Sequence, residues 1–197
     1  MLLKGCLGDK KRLWTRIITS LLSVTFLMIA IVKFRVPPKI KTLALDGANE
    51  YGLDASLVLA VIKCESGFDA DAVSVKGACG LMQLTPSTYD YITALFGIDG
   101  KIFDSAANVA AGCAYLRYLS DIFIGEKEIL SAYNAGEGVV RRWLADKKYS
   151  TDGVTLKLIP YKETERYVRS VMIYYNFYKG IVNESRGSKS KKDYAVL

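Results

Sequence analysis

The chain contains the run Asp54-Ala-Ser-Leu-Val-Leu-Ala-Val-Ile-Lys-Cys-Glu65-Ser66-Gly67, which combines a helix start, an apolar face and a helix stop. Asp54 is a good N-cap, and apolar residues recur after it at helical spacing, at Leu57, Val58, Val61 and Ile62. Gly67 suits the left-handed conformation that ends many helices. The run therefore predicts a helix with one buried face, and its last turn carries Glu65.

Glu65 is the first candidate for a catalytic residue. It follows Val61 by four residues and Ile62 by three, so we expect its carboxyl group to share their buried face. Apolar surroundings and the negative end of the helix dipole both disfavour the carboxylate and raise its pKa. A glutamic acid that stays protonated near neutral pH is suited to general acid catalysis. The alternative is an ordinary solvated acid at a helix end.

The composition excludes several classes of enzyme. The 197 residues suit one globular domain with extensions, and none of them is histidine. Serine or cysteine catalysis through histidine is therefore excluded, and so are zinc sites with histidine ligands. The sequence contains no Walker-type phosphate loop and no complete GxGxxG fingerprint, so nucleotide chemistry has no support.

The net charge of +7 is concentrated towards the two ends of the sequence. Basic residues outnumber acidic ones by four in residues 1–16 and by three in residues 185–197. Residues 42–184 contain 14 Lys and Arg against 18 Asp and Glu, so this part is slightly acidic. A surface that follows the phosphates of nucleic acid is therefore not expected.

Residues 17–32 form an uncharged run that predicts a membrane anchor. At about 1.5 Å per residue the run reaches roughly 24 Å, a little short of a ~30 Å hydrocarbon core unless preceding residues extend it. The basic segment 1–16 should stay cytoplasmic, so we expect a single-pass anchor in the cell membrane with the domain on the extracytoplasmic side. A cleaved signal peptide is the alternative, although no clear Ala-x-Ala site follows Val32.

The remaining chain divides into a linker, one domain and a tail. The linker, residues 33–41, is basic and includes Pro37-Pro38, which resists helix formation. Residues 42–182 form the predicted domain, and residues 183–197 are predicted to be a basic, disordered tail. Strand patterns are scarce, so the fold class is mainly α, with helices expected near 39–50, 55–65, 86–96, 105–123, 127–134, 137–145 and 161–178.

Four cysteines leave several arrangements open. Cys6 would be cytoplasmic, whereas Cys64, Cys79 and Cys113 lie in the exported part. These three allow one disulfide in any of three pairings, or buried free thiols. Their irregular spacing does not support a metal site.

Two further segments carry candidate ligand-binding residues. Ser74-Val-Lys-Gly-Ala-Cys-Gly80-Leu-Met-Gln83 contains glycines that let backbone approach a ligand, and Gln83 offers donors and acceptors that suit sugar hydroxyl and N-acetyl groups. In Ala132-Tyr133-Asn134-Ala-Gly136, the tyrosine is able to bond the Glu65 carboxyl group and the amide to hold a substrate carbonyl. An ordinary turn, and a C-cap beside a core tyrosine, are the alternatives.

The start of the last predicted helix supplies two more candidates. Glu163 and Tyr167 are four residues apart and therefore share one face of this helix. An acid in the first turn is also favourable with the helix dipole, which is the simpler explanation for Glu163.

Taken in order, these segments resemble the soluble lytic transglycosylase (SLT) domain of the goose-type lysozyme-like superfamily. The resemblance covers about residues 45–178 and rests on motifs that are weak singly but specific in this order: Glu65-Ser66-Gly67, Ala72-Val-Ser74, Gly77-Ala-Cys-Gly80-Leu-Met-Gln83, Asn108 to Leu116, Ala132-Tyr133-Asn134-Ala-Gly136 and Pro160-Tyr-Lys-Glu163-Thr-Glu-Arg-Tyr167-Val. It implies a lysozyme-like helical domain with a substrate cleft, here in a minimal anchored form.

The resemblance also implies roles for matched residues. Glu65 corresponds to the family's catalytic acid and base, and Ser66 completes that motif and orients the helix end. The residues expected to contact substrate or line the cleft are Ser74, Met82, Gln83, Tyr133, Asn134, Glu163 and Tyr167. No metal and no cofactor are implied.

The implied reaction is cleavage of the β-1,4 bond between N-acetylmuramic acid and N-acetylglucosamine in peptidoglycan, with formation of 1,6-anhydro ends. A hydrolytic muramidase, in which Asp69 or Asp71 positions a water molecule, is one alternative. A non-catalytic wall-binding protein is another. Partners in an envelope assembly are compatible with an anchored form, but no residue requires them.

Overall fold

The computed structural model describes residues 12, 14–25 and 35–193, with side chains described as far as residue 180. The chain divides into two units, Met1–Val36 and Pro37–Leu197. In the first unit, residues 14–25 are helical, and apolar side chains such as Ile18, Leu21 and Leu22 are exposed. The candidate functional residues all belong to the second unit.

The predicted membrane anchor at residues 17–32 is described only in part. Residues 26–32 lie outside the described residues, as does most of the basic segment 1–16. In the ranges 12, 14–25 and 35–193, no helix is both long enough and apolar enough to cross a bilayer. The anchor therefore stays a prediction from the sequence.

Helices make up the regular structure of the second unit. Where this unit is described, it contains no β-strand beyond isolated bridges such as Val73 with Cys79. Its helices are α1 Pro38–Tyr51, α2 Ala55–Glu65, α3 Pro86–Phe96, α4 Ser105–Ile122, α5 Glu126–Ala135, α6 Glu137–Ala145 and α7 Lys162–Asp193. The prediction of a mainly α fold is confirmed.

Local capping explains the bounds of α2 and the start of α3. The Asp54 carboxylate accepts a hydrogen bond from the Ser56 N–H at 2.8 Å, which caps α2. Thr85 caps α3 through the Thr88 N–H at 3.2 Å, and Pro86 occupies the first helical position, where no N–H is needed. Gly67 follows α2 in the left-handed region, at φ 63°. These signals are short-range, which is why the sequence predicts the bounds of α2 and α3 closely.

The last helix does not end where the sequence predicted. Its backbone continues through Gly180, the expected stop, and reaches Asp193. The prediction of a disordered tail over residues 183–197 is therefore wrong as far as Asp193, while residues 194–197 lie outside the described part. A glycine inside a helix costs only about 1 kcal/mol relative to alanine, and no proline follows Gly180 to block the next turn.

Helix α2 is the centre of the domain core. Five consecutive residues, Val58 to Ile62, have no exposed surface, so α2 is buried on every side rather than along one stripe. Helix α7 packs along α2 more extensively than any other described helix pair, and α1 packs against both α2 and α4. Each buried Leu, Ile or Val side chain contributes about 1.5–3 kcal/mol, so this contact stabilises the fold strongly.

The segment between α6 and α7 is tied to α5 through the backbone of Leu156. The Leu156 N–H donates to Glu128 Oε1 at 2.7 Å, and Lys127 Nζ donates to the Leu156 carbonyl oxygen. The Leu156 side chain is buried in a cluster with Phe123 and Trp143. Two neighbouring residues of α5 therefore bind the backbone N–H and the backbone carbonyl group of the same residue, Leu156.

Asn108 of α4 fixes the loop that follows α2. Its side chain is buried: Oδ1 accepts from the Met82 N–H at 2.8 Å, and Nδ2 donates to the carbonyl oxygens of Cys79 at 3.1 Å and Ile102 at 2.8 Å. Gly80 makes this approach possible, because a Cβ atom there would lie 2.7 Å from Cγ of Asn108. One carboxamide thus positions the loop that passes the end of α2.

We predict that Asn108→Ala lowers the free energy of unfolding by about 2–4 kcal/mol, because it leaves several buried backbone groups without partners. Urea denaturation measures the change. The matched control is Asn176→Ala on the exposed face of α7, which should change stability by less than about 0.5 kcal/mol. Equal effects of the two substitutions would contradict the assigned role of Asn108.

Candidate active site

Glu65 ends α2 at the wall of a cleft with a volume of about 390 Å³. Helices α2, α5 and α7 and the loop between α2 and α3 supply the lining, which consists of Glu65, Ser74, Val75, Lys76, Ala78, Gln83, Thr85, Tyr133, Asn134 and Glu163. Six of the eight residues predicted to form the site therefore meet in one cavity. Met82 and Tyr167 do not line it.

Burial makes the Glu65 carboxyl group a weaker acid than an exposed glutamic acid. Loss of solvent raises the pKa of its carboxyl group to about 7, and a hydrogen-bond interaction with Tyr167 opposes part of this rise. The position at the negative end of α2 disfavours the ionised form further. Near neutral pH a substantial fraction of Glu65 is therefore protonated, which is the state that donates a proton.

The tyrosine that acts on the Glu65 carboxyl group is Tyr167, not Tyr133 as the sequence suggested. The Tyr133 hydroxyl donates instead to the backbone carbonyl of Met82 at 2.8 Å. Tyr167 lowers the pKa of Glu65, although its buried hydroxyl completes no hydrogen bond of normal geometry among the described residues. Burial and the Glu65 charge raise the pKa of both phenols, so both stay protonated at neutral pH.

The prediction that the Met82 side chain lines the cleft is wrong. Met82 has no exposed surface, because its side chain packs on Gly112 of α4. A Cβ atom at position 112 would lie 2.8 Å from Cε of Met82, so glycine is what permits this contact. The Met82 carbonyl oxygen accepts the hydrogen bond from Tyr133, and the Met82 side chain packs in the core.

The loop after α2 presents Gln83 to the cleft in a fixed orientation. Gln83 has φ 48°, a left-handed conformation that is uncommon outside glycine. Its Nε2 donates to the carbonyl oxygens of Ala72 and Gly80, both at 2.9 Å, which uses both amide hydrogens. Only Oε1, an acceptor, is left to face the cleft, whereas the sequence suggested that Gln83 would offer both donors and acceptors.

Asn134 is oriented by Thr164, a residue that the sequence did not single out. The Thr164 hydroxyl donates to Asn134 Oδ1 at 2.8 Å from a buried position in α7. This bond uses one of the two lone pairs of Oδ1 and fixes the orientation of the amide, whose NH₂ group is able to donate to a carbonyl. Thirty residues separate the two partners, so no local pattern could have revealed the pair.

An exposed ion pair links the loop and α7 at the cleft. Lys76 Nζ lies 3.4 Å from Glu163 Oε1, and both side chains are largely solvated. Such pairs contribute about 0–1 kcal/mol, so the contact is easily exchanged for a ligand. The environments of the two glutamates therefore differ: Glu163 is exposed to solvent and paired with a lysine, whereas Glu65 is buried.

The three cysteines in the described part of the chain form no disulfide and no metal site. Cys64, Cys79 and Cys113 are free thiols. Burial raises the pKa of the Cys64 thiol to about 12, which keeps it protonated and unreactive. Within the described ranges, no group of three or more acidic, cysteine or histidine side chains is placed to hold a metal ion.

The model of the transglycosylase SLT domain matches residues 43–154, more than half of the chain. The chain belongs to this family. The match begins in α1 and includes α2 with Glu65, the loop with Gln83, and the Tyr133-Asn134 pair, so the SLT domain contains most of the cleft. Glu163 lies beyond it.

Sequence matches to known proteins agree with membership of the SLT family. The soluble lytic murein transglycosylase of Escherichia coli strain K12 is 36% identical over 132 residues, and that of Salmonella typhimurium is 30% identical over 149 residues. These matches cover 63% and 72% of this chain. The chain spans about a fifth of the length of these relatives, 20% and 23% respectively.

Solved structures show the same fold. An inactive mutant of the lytic transglycosylase Slt from Pseudomonas aeruginosa superposes with a TM-score of 0.67 at 31% identity, over 78% of this chain and 25% of that one. The 70 kDa soluble lytic transglycosylase of Escherichia coli superposes with a TM-score of 0.67 at 26% identity, over 77% and 25% of the two chains. The SLT domain therefore has the helical fold of the lytic transglycosylases.

The raised pKa of Glu65 predicts a pH-dependent stability. The ordinary pKa of 4.5 describes the unfolded chain, and the folded value is about 7. The folded state then holds the proton more tightly, so its stability is greatest below pH 4.5 and falls as the pH rises through 7. Glu65→Gln removes the titration, so the variant should gain about 2–3 kcal/mol relative to wild type between pH 4 and pH 8.5.

Urea denaturation of both proteins at the two pH values measures this gain, because other titrating groups cancel in the comparison. Glu165→Gln, at an exposed position of α7, is the matched control and should show a change below about 0.5 kcal/mol. A stability difference between wild type and Glu65→Gln that does not vary with pH would contradict the raised pKa.

Proposed function

We propose that this SLT domain is a peptidoglycan lytic transglycosylase. It cleaves the β-1,4 bond between N-acetylmuramic acid and N-acetylglucosamine and leaves 1,6-anhydro-N-acetylmuramic acid ends. The single observation that carries the proposal is a sheltered glutamic acid, Glu65, with a pKa near 7 at the wall of a cleft lined by amide and hydroxyl groups. The relatives described above are soluble lytic murein transglycosylases, which agrees with the proposal.

One sheltered carboxyl group suits this reaction better than ordinary glycoside hydrolysis. Hydrolysis of a glycosidic bond commonly uses two carboxyl groups, one as acid and one as base or nucleophile. In this cleft the second carboxylate, Glu163, is exposed and paired with Lys76. A reaction in which one group acts first as acid and then as base fits this asymmetry.

The proposed first step breaks the glycosidic bond. The Glu65 carboxyl group gives its proton to the bridging oxygen, which leaves as the hydroxyl group of N-acetylglucosamine. The N-acetyl oxygen of the muramoyl sugar attacks C1 of its own ring and takes the place of an enzyme nucleophile. The Asn134 NH₂ group, held by Thr164, is placed to bind a carbonyl of the substrate.

The proposed second step closes the anhydro ring. Glu65, now a carboxylate, takes the proton of the C6 hydroxyl group, and O6 attacks C1 and displaces the N-acetyl oxygen. Glu65 is thereby protonated again, so the cycle needs no water and no cofactor. A pKa near 7 serves both steps, because neither protonation state is strongly favoured at neutral pH.

The alternatives have less support. A muramidase would need an acid to position water, and Asp69 and Asp71 do not line the described cleft; Asp69 instead accepts a hydrogen bond from the Asp71 N–H at 3.0 Å. A non-catalytic wall-binding protein would have no use for a carboxyl group with a pKa near 7, whose burial costs stability at neutral pH.

We expect Glu65→Gln to lower the release of soluble muropeptides from purified sacculi by at least about 100-fold, because general acid–base catalysis contributes about 10²–10⁴. Mass spectrometry of the wild-type digest should show ends about one water lighter than reducing sugars. Glu165→Gln is the control and should retain full activity. Unchanged release by Glu65→Gln rejects the catalytic role, and reducing ends identify a muramidase.

We further propose that residues 17–32 anchor the domain at the outer face of the cell membrane. The support is the uncharged run and the basic segment before it, which favours retention on the cytoplasmic side.

Deletion of residues 1–32 should move the protein from the membrane pellet to the soluble fraction, without changing the activity of the domain on sacculi. N-terminal sequencing of the full chain after expression tests the competing signal peptide. A mature protein that begins beyond residue 32 would contradict the anchor.

A further inference from the structure

Four tyrosine rings contact one another in series, beginning at the cleft. Tyr133 lines the cleft, and its ring centroid lies 5.3 Å from that of Tyr115. Tyr115 stacks on Tyr118 at 6.3 Å with an interplanar angle of 20°, and Tyr118 meets Tyr91 edge-on at 6.0 Å and 81°. We call these four residues the tyrosine strip. No role in the proposed reaction accounts for it beyond Tyr133.

The strip reaches the surface instead of ending in the core. Tyr133, Tyr115 and Tyr118 are partly exposed, and Tyr91 is 54% exposed. The three inner rings also pack against the buried core, whereas Tyr91, at the outer end, is not part of that packing. The outer end of the strip is therefore open to a ligand.

Helix α3 leads from the cleft to this outer end. Thr85, its N-cap, lines the cleft, and its hydroxyl lies 2.9 Å from the hydroxyl of Thr88. Tyr91 follows Thr88 by three residues, so the two share one face of the helix. An extended ligand that leaves the cleft past Thr85 would reach Tyr91 next along that face of the helix.

Polar groups border the strip on its other side. The Tyr118 hydroxyl donates to Glu137 Oε2 at 3.1 Å, and Arg141 Nε holds Glu137 Oε1 at 2.7 Å. Glu137 begins α6, three residues after Asn134 of the cleft. Aromatic faces beside fixed hydrogen-bonding groups suit sugar rings, which present apolar C–H faces and hydroxyl groups at their edges.

We propose that the tyrosine strip is a distal glycan subsite that binds N-acetylhexosamine units of the same strand that enters the cleft, with Tyr91 as the outer stacking surface. The proposal rests on the proposed function for the polymeric nature of the substrate. A cleft of about 390 Å³ lies near the lower end of the range for small-ligand pockets, so a glycan strand must extend beyond it. The strip is a series of ring contacts that begins in the cleft at Tyr133 and ends at the exposed ring of Tyr91.

Calorimetry with β-1,4-linked N-acetylglucosamine oligomers tests the subsite in a Glu65→Gln background, where cleavage does not interfere. The hexamer is long enough to reach beyond the cleft, and the dimer is not. Tyr91→Ala should weaken binding of the hexamer about fivefold to tenfold and leave binding of the dimer unchanged. Tyr91→Phe keeps the ring and should retain the affinity of the parent protein.

Phe177→Ala is the matched control. Phe177 is also an exposed helical aromatic residue, 42% exposed, and it pairs edge-on with Tyr178 at 5.6 Å and 73°. It lies 14 residues along α7 from Glu163, or about 21 Å at ~1.5 Å per residue. Its substitution should not change binding of either oligomer.

Unchanged hexamer binding by Tyr91→Ala overturns the proposal and leaves a protein partner as the reason for the exposed ring. Equal weakening of dimer and hexamer also overturns it, because the effect would then arise inside the cleft. The digestion of sacculi tests the proposed catalytic activity independently of this binding experiment. A wild-type protein that binds the hexamer through Tyr91 but releases no muropeptides would reject only the transglycosylase activity.

Discussion

The burial of α2 on every side is the constraint on which the rest of the domain depends. Neighbouring elements cover its whole circumference, so its last turn is the point where the core meets the cleft, and Glu65 occupies that turn. The packing that removes water from Val61 and Ile62 also removes it from the carboxyl group, whose pKa rises to about 7. Core packing and acid chemistry therefore have one cause, and the partly buried acid costs some stability above its ordinary pKa.

Features that depend on neighbouring residues could be predicted from the sequence. The N-cap at Asp54, the Thr85-Pro86 start and the left-handed Gly67 each act within one helical turn, so they fix the bounds of α2 and α3 without tertiary information. The raised pKa of Glu65 also follows from its spacing after the apolar residues of α2. The end of α7 could not be predicted in this way, because a single glycine, Gly180, is a weak signal.

Features that depend on distant residues could not be predicted. The bond from Thr164 to Asn134 joins positions 30 apart, and the Lys76–Glu163 pair joins positions 87 apart. Ordered motifs brought most of the site residues together, but a motif does not specify which atom of a side chain faces the ligand. Gln83 illustrates this limit, since its amide hydrogens are bound to backbone within its own loop.

The double attachment of Leu156 to α5 has a mechanical consequence. The segment before α7 is tied to the helix that carries Tyr133 and Asn134, so two hydrogen bonds brace this side of the cleft. The opposite side includes the turn at residues 74–77, where Val75 is fully solvated. Entry of the proposed glycan strand would therefore need to displace only that solvated turn, and not the buried core.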